Sequence, residues 1–155
     1  HNLIAGNVFR ELSLQLLERE CNVYTNDMRV KITATEKYTY PDVVAVCGEE
    51  IYEDQTEDTL INPQLIIEVL SKSTEGYDRG AKFEYYQTIE SFREYVLITQ
   101  EPFRVEQYVR KNKNEWTYFE FRQAEDIVKL ISIDCEISLQ DIYHKIQPKF
   151  PKEVI

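Results

Sequence analysis

The sequence predicts an α/β domain built on a single mixed β-sheet flanked by helices. Three patterns predict it: a helical repeat of apolar residues at the start, two short unbroken apolar runs further on, and an alternating pair of segments around a polar turn. With 155 residues, the chain is long enough for one buried core and too short for two ordinary domains. The whole of 1–155 is therefore expected to fold as one domain. Because it begins at His1 rather than Met, the extreme N-terminus is expected to be missing.

Leu3, Ile4, Val8, Leu12 and Leu16 recur at helical spacing, with Asn7, Arg10, Glu11, Gln15 and Glu18 on the other side. That is an amphipathic helix, expected to end near Cys21 and Asn22. Residues 28–32 alternate like a half-buried strand, and Tyr40-Pro41 leads into the apolar run 43–47, short enough to be a buried strand with proline at its edge. The acidic stretch 48–58 reads as a loop. Residues 65–70 form a second buried strand with one carboxylate, Glu68, inside it. Asp78 is a plausible N-cap for a helix reaching about Ser91, with Phe83, Tyr86 and Ile89 inward. Residues 94–99 are the next strand. Segments 103–110 and 116–121 alternate around Lys111-Asn112-Lys113-Asn114 and predict an added hairpin, followed by a strand over 127–133. Ser138 with Asp141 looks like a capping box opening a short last helix.

Acidic residues outnumber basic ones 28 to 18, for a formal net charge of −10. A protein that grips nucleic acid through many phosphates is usually basic, so this balance opposes extensive non-specific binding without excluding a local basic patch. Much of the excess lies in Glu49, Glu50, Glu53, Asp54, Glu57 and Asp58, read as a solvated loop. No apolar run approaches the ~20 residues of a membrane span. Cys21, Cys47 and Cys135 have no CxxC spacing, and reduced thiols in a cytoplasmic protein fit them better than a disulfide or zinc site. There is no glycine-rich phosphate loop, no GxSxG elbow and no His pair at ligand spacing, so no small-molecule cofactor is expected.

The chemistry concentrates in two carboxylates. Glu68 inside an apolar run is costly unless it is paired or ligates a metal; it can also be read as an edge-strand or ion-paired residue. Asp42 can be a turn residue after proline. If their strands are neighbours, the two carboxylates converge as hard oxygen ligands suited to Mg²⁺ or Mn²⁺. Spacing alone reads Lys82 as the i, i+4 partner of Asp78 on a solvated face. His1 reads as a helix-start residue that could also approach the site. Arg79 suits either a phosphate or a neighbouring carbonyl, and Tyr86 reads as core.

Tyr40-Pro41-Asp42-Val43-Val44, residues 67–74, Tyr77-Asp78-Arg79-Gly80-Ala81-Lys82-Phe83 with Tyr86, and Glu94-Tyr95-Val96-Leu97-Ile98 together resemble the Uma-two family of putative endonucleases, of the PD-(D/E)xK restriction-endonuclease-like superfamily. The likeness extends over most of the chain. It implies a restriction-endonuclease-like core with an added hairpin and meander. Asp42 takes the "PD" position and Glu68 the acidic position, with the backbone carbonyl of Val69 completing the metal ligands. The pattern departs at position 70, where E-x-K expects lysine and this chain has Leu70; the resemblance places the missing cation at Lys82. Lys72, Arg79 and Tyr77 are candidate substrate contacts. The implied function is Mg²⁺- or Mn²⁺-dependent hydrolysis of DNA by a homodimer. The alternative is a degenerate nuclease fold serving as a binding or dimerisation module.

Overall fold

The structure, a computed structural model, describes residues 1–147 and 150. The expected domain of 1–155 includes positions 148–149 and 151–155, which lie outside the described residues. In chain order the elements are α1 (Asn2–Leu16), β1 (Cys21–Thr25), β2 (Arg29–Ile32), β3 (Lys37–Thr39), β4 (Val43–Cys47), β5 (Thr59–Leu60) and β6 (Leu65–Val69). There follow α2 (Glu75–Arg79), α3 (Ala81–Gln87), β7 (Glu94–Thr99), β8 (Arg104–Asn112), β9 (Glu115–Phe121), β10 (Ile127–Leu130), β11 (Cys135–Ser138) and α4 (Leu139–Ile142).

Six strands form the main sheet in the order β1-β4-β6-β7-β8-β9, and only the β6–β7 pair within it is parallel. A parallel pair needs a crossover, and α2 with α3 supply it. The sheet is mixed, as expected. Its middle strands β6 and β7 are buried throughout and largely apolar because both faces are covered. On one face, Leu65, Ile67 and Val69 of β6 pack with Ile4, Val8, Leu12 and Leu16 of α1 and with β10, β11 and α4. On the other, Ile66 and Leu70 pack with Tyr86, Phe92, Tyr95 and the small β3-β2-β5 sheet. Period-two alternation therefore turns Glu68, between Ile66 and Leu70, toward the α3 face.

Several expectations are corrected. The first helix stops at Leu16, and Cys21–Thr25 pairs with β4 as an edge strand whose one-sided, partial burial gives little apolar alternation. That register sets Cys21 opposite Cys47, and the two form a disulfide; only Cys135 is a free, buried thiol. The reading of three reduced thiols fails because pairing across strands is invisible in linear spacing. Asp78 is no N-cap: it lies inside α2 and is buried. The predicted helix is two short ones that turn at Gly80, where a Cβ would come within 3.2 Å of the Gly76 carbonyl oxygen. The strand predicted over 127–133 ends at Leu130 and tightens into a 3₁₀ turn. The Ser138 cap is confirmed, its side chain accepting from the Asp141 amide.

Candidate active site

β4 and β6 run antiparallel with Val43 opposite Ile67, so Asp42 falls opposite Glu68 at the end of the ladder. The residues bind each other's strands. The Asp42 amide donates to Glu68 Oε1 at 3.0 Å, and the Val69 amide donates to Asp42 Oδ2 at 2.8 Å. Pro41 has no N–H to extend the ladder, so side chains close it instead. An extended residue directs its N–H and C=O to the same side, which puts the Val69 carbonyl on the β4 side of β6 with its amide.

Lys82 reaches this pair from the first turn of α3. Its Nζ donates to Glu68 Oε2 and lies 3.4 Å from Asp78 Oδ1. The turn at Gly80 lets α2 and α3 present Asp78 and Lys82 together, and the Tyr95 hydroxyl fastens α2 by donating to the Asp78 carbonyl at 2.8 Å. The Asp78–Lys82 spacing pair is thus real but buried, not on a solvated face: Asp78 is 4% exposed and Glu68 3%. His1 Nε2 lies 3.3 Å from Asp42 Oδ1, so the helix-start residue does approach the site.

Burial dominates the electrostatics. It pushes the Glu68 carboxyl up to about 7 against the pull of Lys82, and the nearby Asp42 charge adds to the rise. Asp42 is raised for the same reason, with the Val69 amide and Lys82 opposing. Burial works against the Lys82 ammonium, but Glu68 and Asp78 outweigh it and hold its pKa above the ordinary value. The site therefore has more buried negative charge than one ammonium neutralises.

The other candidates lie apart from the carboxylates. Arg79 pairs with Glu106 at 2.6 Å and Glu75 at 3.0 Å, which makes it an internal brace for α2. Lys72 is exposed and lines a cleft of about 410 Å³ with Ser71, Gln100 and Arg104 beyond the C-terminal ends of β6 and β7. Tyr77 is exposed on α2. The residue missed as a member of the site is Asp78, whose i, i+4 spacing to Lys82 was its signal.

Among the described residues, no group of three or more His, Cys, Asp or Glu side chains is arranged to hold a metal ion. Two carboxylates and a carbonyl nevertheless make a hard-oxygen donor set, and Mg²⁺ commonly takes one or two carboxylates with water and substrate oxygens completing its shell. The excess of buried negative charge fits a divalent cation too.

A family model described as "Putative restriction endonuclease", Uma2, matches residues 1–140. "Uncharacterized protein sll1609" of Synechocystis sp. (strain ATCC 27184 / PCC 6803 / Kazusa) is 39% identical over 75% of this chain and 66% of its own length. "Uncharacterized protein slr1290" of the same organism is 31% identical over 80% of this chain and 64% of its own. The match thus spans a little under two thirds of either relative. A crystal structure of a putative nuclease belonging to DUF820 from Anabaena variabilis ATCC 29413 superposes with a TM-score of 0.74 at 16% identity, covering 92% of this chain and 79% of that one. At that identity the likeness concerns the fold, a restriction-endonuclease-like one. Among the described residues no helix is long and apolar enough to cross a membrane.

Proposed function

The chain belongs to the Uma2 family of putative restriction endonucleases, and we propose that Asp42, Glu68 and Lys82 form a divalent-metal-dependent centre hydrolysing phosphodiester bonds in DNA. The observation that carries this reading is the convergence of a buried carboxylate, Glu68, a half-buried one, Asp42, and one ammonium at the end of the β4–β6 ladder. Asp42, Glu68 and the Val69 carbonyl would hold Mg²⁺ or Mn²⁺. A cation bound there supplies Lewis-acid polarisation of a phosphoryl oxygen and acidifies water.

The protein's own groups do the rest. The amides of Asp42 and Val69 fix the two carboxylates, so neither must reorganise when substrate arrives. Lys82, a donor with three N–H bonds, can orient a water and stand beside charge developing on the phosphoryl oxygens. Lysine in place of Leu70 would reach the same face from β6; here α3 supplies the cation. Cutting both strands of a duplex calls for two such sites, so a homodimer accompanies the proposal.

A second reading, a non-catalytic binding or dimerisation module, draws support from the formal net charge of −10 and from Lys82 being already engaged by Glu68 and Asp78. One experiment separates them. Asp42→Asn and wild type are melted with and without Mn²⁺, then assayed for DNA cleavage. The metal should raise the wild-type stability by about 2.7 kcal/mol at a hundredfold excess over its dissociation constant, and the variant should lose both the rise and the cleavage. Full cleavage by Asp42→Asn would sink the assignment; metal binding without cleavage favours the module.

A further inference from the structure

The proposed site lies toward one end of the main sheet; the cations that could hold a substrate gather at the other. A cleft of about 660 Å³ opens below the C-terminal end of α3, bounded by Gln87, Glu90, Arg93, Arg110, Lys111 and Lys113. Four cations thus meet one carboxylate in a chain whose acids outnumber its bases 28 to 18. Among the described residues Lys111 has one ion pair, a 4.0 Å exposed contact with Glu115. Arg93 donates to the main-chain carbonyls of Glu90 and Phe92, and Arg110 Nη2 donates to the Gln87 carbonyl at 2.7 Å. Neither guanidinium has a carboxylate partner among the described residues. Arg110 stacks 4.6 Å over the Trp116 ring, and its Nε is buried without a hydrogen-bond partner among the described residues. Burial first, and then the neighbouring charge of Arg93, push the Arg110 guanidinium below its ordinary pKa.

We propose that this cleft binds the phosphate backbone of a nucleic-acid strand and holds it while the strand's remote part lies at the Asp42–Glu68 carboxylates. The choice of a strand rests on the nuclease reading, which the cleft deepens. Lys82 stands in the first turn of α3 and Gln87 at its last residue, so one short helix spans the two sites. Glu68 is level with Leu97 in β7, and Arg93 directly precedes that strand. Four residues of strand measure about 13 Å, which is about four nucleotides of helical rise. Local cations at that distance also reconcile an acidic chain with a polyanionic substrate: few phosphates are gripped, so binding is weak and its salt dependence correspondingly shallow.

The test is binding of a fluorescently labelled DNA oligonucleotide, single-stranded and duplex, in EDTA so that cleavage does not intervene. Wild type is compared with Lys111→Ser/Lys113→Ser, with the same pair plus Arg93→Gln, and with a charge-matched control, Arg10→Gln/Lys129→Ser. The lysine pair is exposed, so it preserves the fold even if the triple variant does not; melting temperatures check both. The cleft variants should bind at least tenfold more weakly, and the slope of log affinity against log salt should fall by about 0.7 (single strand) to 0.9 (duplex) per lost phosphate contact. The control should match wild type. Cleft variants that bind like wild type, or a wild type that binds no oligonucleotide, overturn the proposal. So does inorganic phosphate competing as well as the strand at equal phosphate concentration, which would mark a single-anion site. Cleft-dependent binding with no cleavage by wild type in Mn²⁺ upholds the cleft and overturns the nuclease reading instead.

Discussion

Removing the ammonium from between Glu68 and Asp78 tests the electrostatic account of the site without any substrate. In Lys82→Met, a side chain of similar length keeps the packing and leaves the carboxylates without their cation. Above neutrality, taking one partner from a buried ion pair should cost about 3–5 kcal/mol, because the remaining charge is uncompensated. The cost should depend on pH, and the sign follows from Glu68. Its folded pKa is about 7 against an ordinary 4.5, so its contribution to stability is fully present below 4.5 and lost as pH rises through 7. Without Lys82 the folded pKa climbs further, and the loss continues to higher pH.

At about pH 5.5 Glu68 is protonated in both folded proteins, and the variant should lose little more than a hydrogen bond, about 1–2 kcal/mol. By about pH 8.5 the difference should have grown by up to ~2 kcal/mol, since wild-type Glu68 has finished titrating near 7 and each further pH unit over which the variant's carboxyl stays protonated is worth about 1.4 kcal/mol. Urea unfolding of both proteins in EDTA at the two pH values measures this directly. A destabilisation that is the same at both would refute the claim that burial of Glu68 is what Lys82 relieves.

Reduction should weaken the edge of the sheet. The Cys21–Cys47 bond closes a loop with a sequence separation of 26, for which chain entropy predicts about 3.5 kcal/mol; Cys47→Ser and dithiothreitol should lower the urea midpoint alike, and an unchanged midpoint on reduction contradicts the bond. Glu94, fully buried, accepts from Gln107, from the Ile131 and Ser132 amides and from the Ser132 hydroxyl. Glu94→Ala strands those donors and should cost about 3–5 kcal/mol, with Glu94→Gln losing under half of that; equal losses would show that packing, not hydrogen bonding, fixes the β10–β11 turn. Glu50 receives hydrogen bonds from Tyr24, Tyr52 and Asn22 that overcome burial and hold its carboxyl below the usual range. Its stabilisation is present above 4.5 and lost as pH falls below it, so Glu50→Gln should flatten acid unfolding, and an unaltered acid limb counts against the cluster.

What the sequence disclosed depended on how much of each element is buried. The strands 43–47 and 65–69 were legible because both faces are covered, and Glu68 stood out as a carboxylate in such a run. The edge strand Cys21–Thr25, the three-residue Lys37–Thr39 and Cys135–Ser138 were not, since short or half-exposed strands carry little periodicity. The disulfide depends on the β1–β4 register, which spacing does not encode. Of the candidate site, Glu68 stood out by local pattern as a carboxylate inside an apolar run, whereas the roles read for Asp42 and Lys82 came with the family likeness. Asp78 resembles a cap in the sequence because Gly80 looks like part of a lead-in to one helix, whereas it marks a turn between two.

On the proposed reading, a cation supplied by the helix rather than by the strand accounts for the burial of Asp78 beside it. A lysine at position 70 would share the face of Glu68 by the two-residue period of β6 and would be held by the sheet itself. Leu70 instead fills that place as part of the apolar cluster beneath α3. A cation arriving from α3 is only as well placed as the helix that carries it, and α3 has seven residues, too few to be stable without tertiary contacts. The contacts that fix it converge on the adjoining turn: the Tyr95 hydroxyl on the Asp78 carbonyl, Arg79 on Glu106 of β8, and Asp78 itself on Lys82. Asp78 thus gives the ammonium a second partner from the helical side, so Nζ is held between sheet and helix. On the proposed reading, the turn from α2 into α3 at Gly80 is what lets a helix present the cation that the family pattern expects from the strand.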